Sequence, residues 1–264
     1  MVAVDLARLR HQIEELIRFF EVPEAFHHAL QGLFSLYANH SLRFGEAAPV
    51  RPLIPMYHLP HPVVRQLNLD LHAQVLAHPS AALGLADELW DDAYYEIKRT
   101  ALFIIGELTI NDSGPILDRI SNWLKPELDQ VLKTDLFSLG TRSLQRDFPQ
   151  DWEKWVFSLL SNSEPTINAF GIQALTARAN HSNLQNIPTI FRLVSRLIRN
   201  PQNAYINDLE DLIATLAKIS PQETGFFLRQ NLSLSNSTET IRLIKNSLDS
   251  FPPDIREELK AALD

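Results

Sequence analysis

The chain has 264 residues, of which 45% are hydrophobic, with no cysteine and a formal net charge of −8. That apolar content suffices for a large core in one or two domains or in one elongated repeat array. The composition excludes disulfides, thiolate metal sites and a cysteine nucleophile, and its acidic balance argues against a protein that coats nucleic acid over its whole surface.

No apolar run approaches the ~18 residues of a membrane span, so none is expected. The opening MVAVDLARLRHQIEEL interleaves charges with apolar residues, which reads as a folded helix rather than a signal peptide. A cysteine-free chain fits a reducing cytoplasm, the expected location.

Apolar residues recur at steps of three and four almost throughout, and no period-two alternation is long enough for a strand. Helices are predicted first at 3–20 and 23–38. A stretch from 40 to 62 follows, in which Pro49, Pro52, Pro55, Pro60 and Pro62 force extended backbone. It reads as a linker packed on the surface, with a hinge or partner-binding arm as the functional alternative. Helices are then expected at 62–77, 80–90 and 92–109. The last is entered through Leu89-Trp90 and left through Asn111-Asp112-Ser113-Gly114-Pro115, and Tyr94, Ile97, Ala101, Ile104, Ile105 and Leu108 share its apolar face. Further helices are predicted at 114–124, 126–146, 150–161, 166–179, 184–200, 203–219, 222–232, 237–249 and 254–263. Ser163-Glu164-Pro165, the capping-box pattern Ser220-Pro221-Gln222-Glu223 and Phe251-Pro252-Pro253-Asp254 mark helix starts.

These helices pair into helix-turn-helix units of roughly 35–45 residues, the period of HEAT-like or armadillo-like repeats. The expected fold is all-α, a right-handed HEAT-like helical-repeat solenoid. Residues 1–58 would form an N-terminal helical hairpin plus the proline-rich arm, and 59–264 the continuous repeat array.

Charge is unevenly spread. Residues 1–130 hold 10 basic against 17 acidic side chains, and residues 131–264 hold 14 against 15. The segment 165–207 has no Asp or Glu but carries Arg178, Arg192, Arg196 and Arg199. Arg192, Arg196 and Arg199 share one helix face opposite Ile190, Leu193, Val194, Leu197 and Ile198. Such a stripe suits phosphate oxygens. The alternative is a solvated face paired with Asp208, Glu210 or Asp211. Asp135 is a lone carboxylate beside Lys133 and Thr134. It could stabilise positive charge at a sugar during base loss, or serve as a helix cap or ion-pair partner of Lys133 or Arg142.

Trp90, Trp123, Trp152 and Trp155 offer base-stacking platforms or, as expected here, packing. The acidic run Asp87, Glu88, Asp91, Asp92 and Glu96 lacks the glycine of a calcium loop and reads as solvated carboxylates at a helix start. His58, His61, His72 and His78 lack zinc spacing, so no metal is expected. There is no phosphate-binding glycine loop, dinucleotide fingerprint or Gly-x-Ser-x-Gly elbow, and no cofactor is expected.

Two segments together resemble the HEAT-repeat DNA alkylation-repair glycosylases, the AlkD-like family. In Leu59-Pro60-His61-Pro62-Val63-Val64-Arg65-Gln66-Leu67, Pro62 and Arg65 match that family's Pro-x-x-Arg helix opening, with His58 where the family has Gly. Leu89-Trp90 followed by Glu96, Arg99 and Ala101 matches its Leu-Trp helix. Phe148-Pro149 and Ser220-Pro221 fall at helix junctions the family also punctuates with proline. The likeness covers residues 55–232. It implies a cationic concave face that holds duplex DNA, and a constellation of two tryptophans, an aspartate and an arginine at the damaged nucleotide. The aspartate position falls at Asp135. Val131 stands at the first tryptophan, Ala169 at the arginine and Asp211 or Leu212 at the second tryptophan. The resemblance therefore implies a divergent DNA-binding member with residual or lost glycosylase activity. Asp135 is the catalytic candidate, and Arg178, Arg192, Arg196 and Arg199 are the phosphate-binding candidates. The alternative from architecture alone is a non-enzymatic scaffold that binds a protein partner in its concave groove.

Overall fold

A computed structural model describes residues 5–39, 52–181, 187–235 and 237–263, which are helical with no strand among them. Most of the proline-rich arm, 40–51, lies outside the described residues. Two compact units divide the chain at 152/153.

The first unit contains α1 (Leu6–Ile17), α2 (Pro23–Tyr37), α3 (His61–Ala77), α4 (Pro79–Trp90), α5 (Tyr95–Glu107), α6 (Gly114–Trp123), α7 (Gln130–Asp135), a π-helical turn (Leu136–Gly140) and α8 (Arg142–Asp147). The boundary falls within α9 (Pro149–Leu160). The second unit continues with α10 (Pro165–His181), α11 (Ile187–Arg199), α12 (Ile206–Ile219), α13 (Pro221–Leu234), α14 (Thr238–Ser247), a 3-10 turn (Leu248–Ser250) and α15 (Pro253–Leu263).

Prolines mark the starts of α2, α3, α4, α6, α9, α10, α13 and α15, where the missing N–H is no loss. Two local expectations change. Pro221 does open α13, but the Ser220 hydroxyl makes no capping bond. The helix expected at 126–146 starts only at Gln130, because the Asp129 carboxylate caps it by accepting from Val131 N at 2.8 Å. It is then interrupted by the π turn. Gly106 of α5 abuts that turn, and a Cβ there would lie 2.1 Å from the Leu139 carbonyl oxygen. Only glycine permits this approach of two backbones.

Within each unit, helices pack two apart. In the first, α1 lies on α3, α2 on α4, and α3 on α5; in the second, α10 lies on α12, α11 on α13, α12 on α14 and α13 on α15. The N-terminal hairpin thus packs directly on α3 and α4. Polar ties keep the same step. Ser143 Oγ donates to the Ile105 carbonyl 38 residues away, Gln173 Nε2 to Asp208 over 35, and Ser195 Oγ to Asn231 over 36.

Apolar stripes face inward as the spacing predicts. Ile97, Ala101, Ile104 and Ile105 of α5 are buried, as are Leu193, Val194, Leu197 and Ile198 of α11. Each buried Ile, Leu or Val among them contributes about 1.5–3 kcal/mol by leaving water. Trp90 and Trp123 stack at 4.5 Å between ring centroids, and both are buried, so they pack rather than offer a platform. Trp152 is also buried. Among the described residues, no helix is long and apolar enough to cross a membrane.

Candidate functional site

The first unit holds an open cleft of about 930 Å³. One wall is α3, which presents His61, Arg65, Asn68 and His72 at helical steps. The facing wall is α5, with Tyr95, Arg99, Phe103 and Glu107, and Val131 of α7 extends it. Residues 52–60 run along the rim as a strap that contributes Pro52, Met56, His58 and Leu59.

The strap is tied down at several points. Glu96 of α5, 8% exposed, accepts the backbone N–H of Tyr57 at 3.0 Å on one oxygen and that of His58 at 2.8 Å on the other. Tyr95 N donates to the Pro55 carbonyl, and Leu53 N donates to Asp129 Oδ2 at 2.7 Å. The Tyr57 ring stacks on Tyr94 at 4.3 Å. These restraints hold His58 at a φ of 55°, a left-handed conformation that disfavours a non-glycine residue by roughly 1–3 kcal/mol.

Asp135 ends α7 beside the cleft wall and is 16% exposed. The Tyr95 hydroxyl donates to its Oδ2 at 2.6 Å, and Arg99 Nε approaches the same oxygen at 3.3 Å. Its Oδ1 accepts no hydrogen bond among the described residues. Burial raises the Asp135 pKa above the usual carboxylate value, although the Tyr95 hydrogen bond and the charges of Arg99 and Arg142 oppose the shift. Burial, with the Asp135 charge, also raises the Tyr95 phenol. Neither anticipated partner arrangement is the main one. Lys133 turns away to donate to the Pro126 carbonyl at 2.7 Å. Arg142 pairs with Glu107 at 3.5 Å and reaches Asp135 only through its charge.

Glu107 also binds His72 Nδ1 at 2.8 Å, 35 residues back, and Arg142 repeats that step forward. A polar row therefore runs from His72 of α3 through Glu107 of α5, both lining the cleft, to Arg142 of α8 behind it. Arg65, on the same face, is exposed and makes no ion pair among the described residues.

The positions that the resemblance pairs with Asp135 supply no ring or guanidinium. Val131 lines the cleft one turn before it. Ala169 and Leu212 are buried in α10 and α12, and Asp211 is exposed.

The second unit holds the four arginines singled out from sequence. Burial lowers the pKa of the half-buried Arg178 guanidinium, and the Glu153 charge opposes this. Arg192, with 70% of its side chain exposed, faces Glu153 at 3.5 Å. Arg196 Nη2 donates at 2.7 Å to the Leu160 carbonyl, satisfying an open acceptor in the last turn of α9. Arg199 donates to its own helix, to the carbonyl and hydroxyl of Ser195 at 3.3 Å each. The carboxylate at Arg192 thus comes from α9. Glu210, proposed as a partner, accepts from Asn246 instead. Beside Arg192, a groove of about 540 Å³ between α11 and α13 is lined by the stacked pair Phe191 and Phe227 and by Phe226, 62% exposed.

The acidic run is not a solvated cap. Asp87 forms a bidentate pair with Arg119, at 2.8 and 2.6 Å. Glu88 and Asp92 clamp His27 of α2, at 2.8 Å on Nδ1 and 2.6 Å on Nε2. Carboxylates on both ring nitrogens favour the doubly protonated imidazolium over either neutral tautomer. Burial lowers the His27 pKa, but the two carboxylates outweigh it and the net shift is upward. Asp92 is held below its usual value despite burial, by the Tyr94 N–H, His27 and Gln31. Sequence reading missed His27, because nothing local marks a histidine whose partners lie 61 and 65 residues away. Among the described residues, no three His, Asp or Glu side chains gather as a metal site.

Comparisons of the chain with protein-family models, curated proteins and solved structures yield no match.

Proposed function

We propose that the chain is a HEAT-like α-α solenoid that binds duplex DNA in a reducing cytoplasm, and that it is a divergent relative of the alkylpurine glycosylases with residual or lost base-releasing activity. The packing of helices two apart and the recurrence of polar ties at 35 to 38 residues support the repeat architecture. One observation carries the functional reading. Asp135 is a partly shielded carboxylate with one oxygen held by Tyr95 and Arg99 and the other open, beside a cleft lined by Arg65 of α3 and Arg99 of α5. Arginines set on neighbouring helices can follow a phosphate backbone, and the open oxygen can oppose positive charge developing at a sugar. In the second unit, Arg178, Arg192, Arg196 and Arg199 are the further phosphate contacts of this reading, and Arg192 is the most available of them.

Fluorescence anisotropy with a labelled duplex over a range of salt, together with release of alkylated purines from treated DNA, tests the proposal. Binding that weakens steeply with salt is expected. Absence of binding at low salt would overturn it, and binding without base release would define a non-enzymatic DNA-binding protein.

A second reading, a scaffold for a protein partner, is favoured by the Phe226 groove and by the net charge of −8. It predicts co-purification with a partner and no affinity for DNA.

A further inference from the structure

We infer that the groove between α11 and α13 is an interface between two copies of this chain, in which Arg192 of each copy faces Glu223 of the other and Phe226 of each is covered by the other's groove. This goes beyond the DNA-binding reading and does not depend on it.

Two helices in a fixed register build the groove. Phe191 stacks on Phe227, and Ser195 Oγ donates to Asn231 Oδ1 at 3.0 Å. Both contacts step forward by 36 residues, so α11 and α13 run side by side in the same direction. The Phe191–Phe227 pair gives the groove an apolar floor. Phe226 stands beside it on α13 and is 62% exposed. An aromatic ring left in water beside an open apolar groove is the kind of side chain that anchors protein interfaces.

The charges at the groove match each other. Arg192 lies on the α11 side and Glu223 on the α13 side. In this register Glu223 is level with Ile187, about 7–8 Å along the axes before Arg192, and Phe226 falls between the two. Neither charge is firmly held within the chain. Glu223 is exposed and makes no ion pair among the described residues, and Arg192 keeps 70% of its side chain exposed with Glu153 at 3.5 Å. An exposed pair of that kind holds a side chain weakly. In a two-fold interface, a contact of one residue with another is repeated in reverse. One cation and one anion on the same patch therefore satisfy each other twice, once on each side of the axis, and leave Phe226 between them to be shielded from water.

The second unit is also suited to meet its own copy. Residues 153–264 hold 11 basic against 12 acidic side chains, so nearly all of the net charge of −8 lies in residues 1–152. Two second units can approach without the repulsion that two first units would meet. Arg192 is also a phosphate contact in the DNA-binding reading, so a duplex and a second copy would compete for it.

Sedimentation velocity and light scattering of the full chain without DNA, over a range of concentrations, test the inference. A reversible monomer–dimer equilibrium is expected. Phe226→Glu, at an exposed position, is expected to raise the dimer dissociation constant about tenfold or more. Arg192→Glu sets carboxylates against each other on both sides of the axis, and Glu223→Arg does the same with guanidiniums, so each variant alone is expected to dimerise about tenfold more weakly. Mixed in equal amounts, these two variants restore opposite charges at both sites, and the mixed dimer is expected to form as the parent dimer does. Thermal melting shows that all three variants fold. A chain that stays monomeric at every concentration would overturn the inference and leave the groove to another partner, such as an amphipathic helix. A dimer that survives Phe226→Glu, charge variants that each dimerise like the parent, or a mixture that stays monomeric would overturn it as well.

Discussion

Tyr95 and Asp135 lie 40 residues apart and are joined by a 2.6 Å hydrogen bond from phenol to carboxylate, beside the cleft of the first unit. Burial alone raises the Asp135 pKa, and this bond is the first of the contacts that restrain it. In Tyr95→Phe the carboxyl is expected to titrate at higher pH than in the parent, followed by NMR of the Asp135 side chain. The sign follows from linkage. An acid whose folded pKa is raised loses folding free energy as pH rises from its unfolded value through the folded one, and the variant extends that loss to higher pH. The variant is also expected to unfold with about 1–2 kcal/mol less stability at neutral pH. An unchanged titration would show that the bond does not restrain Asp135.

His27 gives the fold a pH-dependent tie. Its pKa is raised, so its contribution is fully present below the ordinary imidazole value and is lost as pH rises through the folded one. Asp92, whose pKa is lowered, contributes above the ordinary carboxylate value and is lost as pH falls through its folded one. Denaturation curves across pH 5 to 9 (roughly the range in which imidazoles charge) should show stability falling on the alkaline side. His27→Ala should flatten that limb and destabilise by about 1–3 kcal/mol at neutral pH, since it leaves Glu88 and Asp92 facing each other. An alkaline limb that survives the substitution would assign it to another group.

Gly106→Ala places a methyl group 2.1 Å from the Leu139 carbonyl oxygen, which is backbone and cannot rotate away. The expected cost is about 1–3 kcal/mol or more, read as a lower melting temperature. A parent-like melting temperature would mean that α5 and the π turn separate without penalty.

The arginines of α11 should divide by role. Arg192→Ala is expected to weaken duplex binding and to reduce the salt dependence by about one counterion equivalent. Arg196→Ala removes the hydrogen bond to Leu160 and is expected to lower stability by about 0.5–1.5 kcal/mol. Equal salt slopes for Arg192→Ala and the parent would remove Arg192 from the phosphate contacts.

Helix positions were legible because each depends on residues three or four apart and on a proline or cap at the start. Even the stripe Arg192, Arg196 and Arg199, opposite a buried apolar face, is a property of one helix. The break between α4 and α5 was readable too, although the Asp92 contact to Tyr94 N that accompanies it was not. The helix at 126–146 was misjudged because its interruption answers a neighbour, the Gly106 contact to Leu139, rather than its own residues. Asp135 was singled out by the resemblance alone, and its partners Tyr95 and Arg99 were not paired with it, since two donors on α5 carry no local sign of an acceptor on α7.

By itself, then, the sequence determined an all-helical chain, the approximate place of most helices and the apolar side that turns inward, because periodicity and capping are local physics. Tertiary structure decided which charges are spent and which remain available. Asp87, Glu88, Asp92 and Glu96 are consumed in holding helices and strap together, whereas Arg65 and one oxygen of Asp135 are left open beside the cleft. Pairing depends on distances between segments some 32 to 65 residues apart, and those distances exist only once the helices have packed.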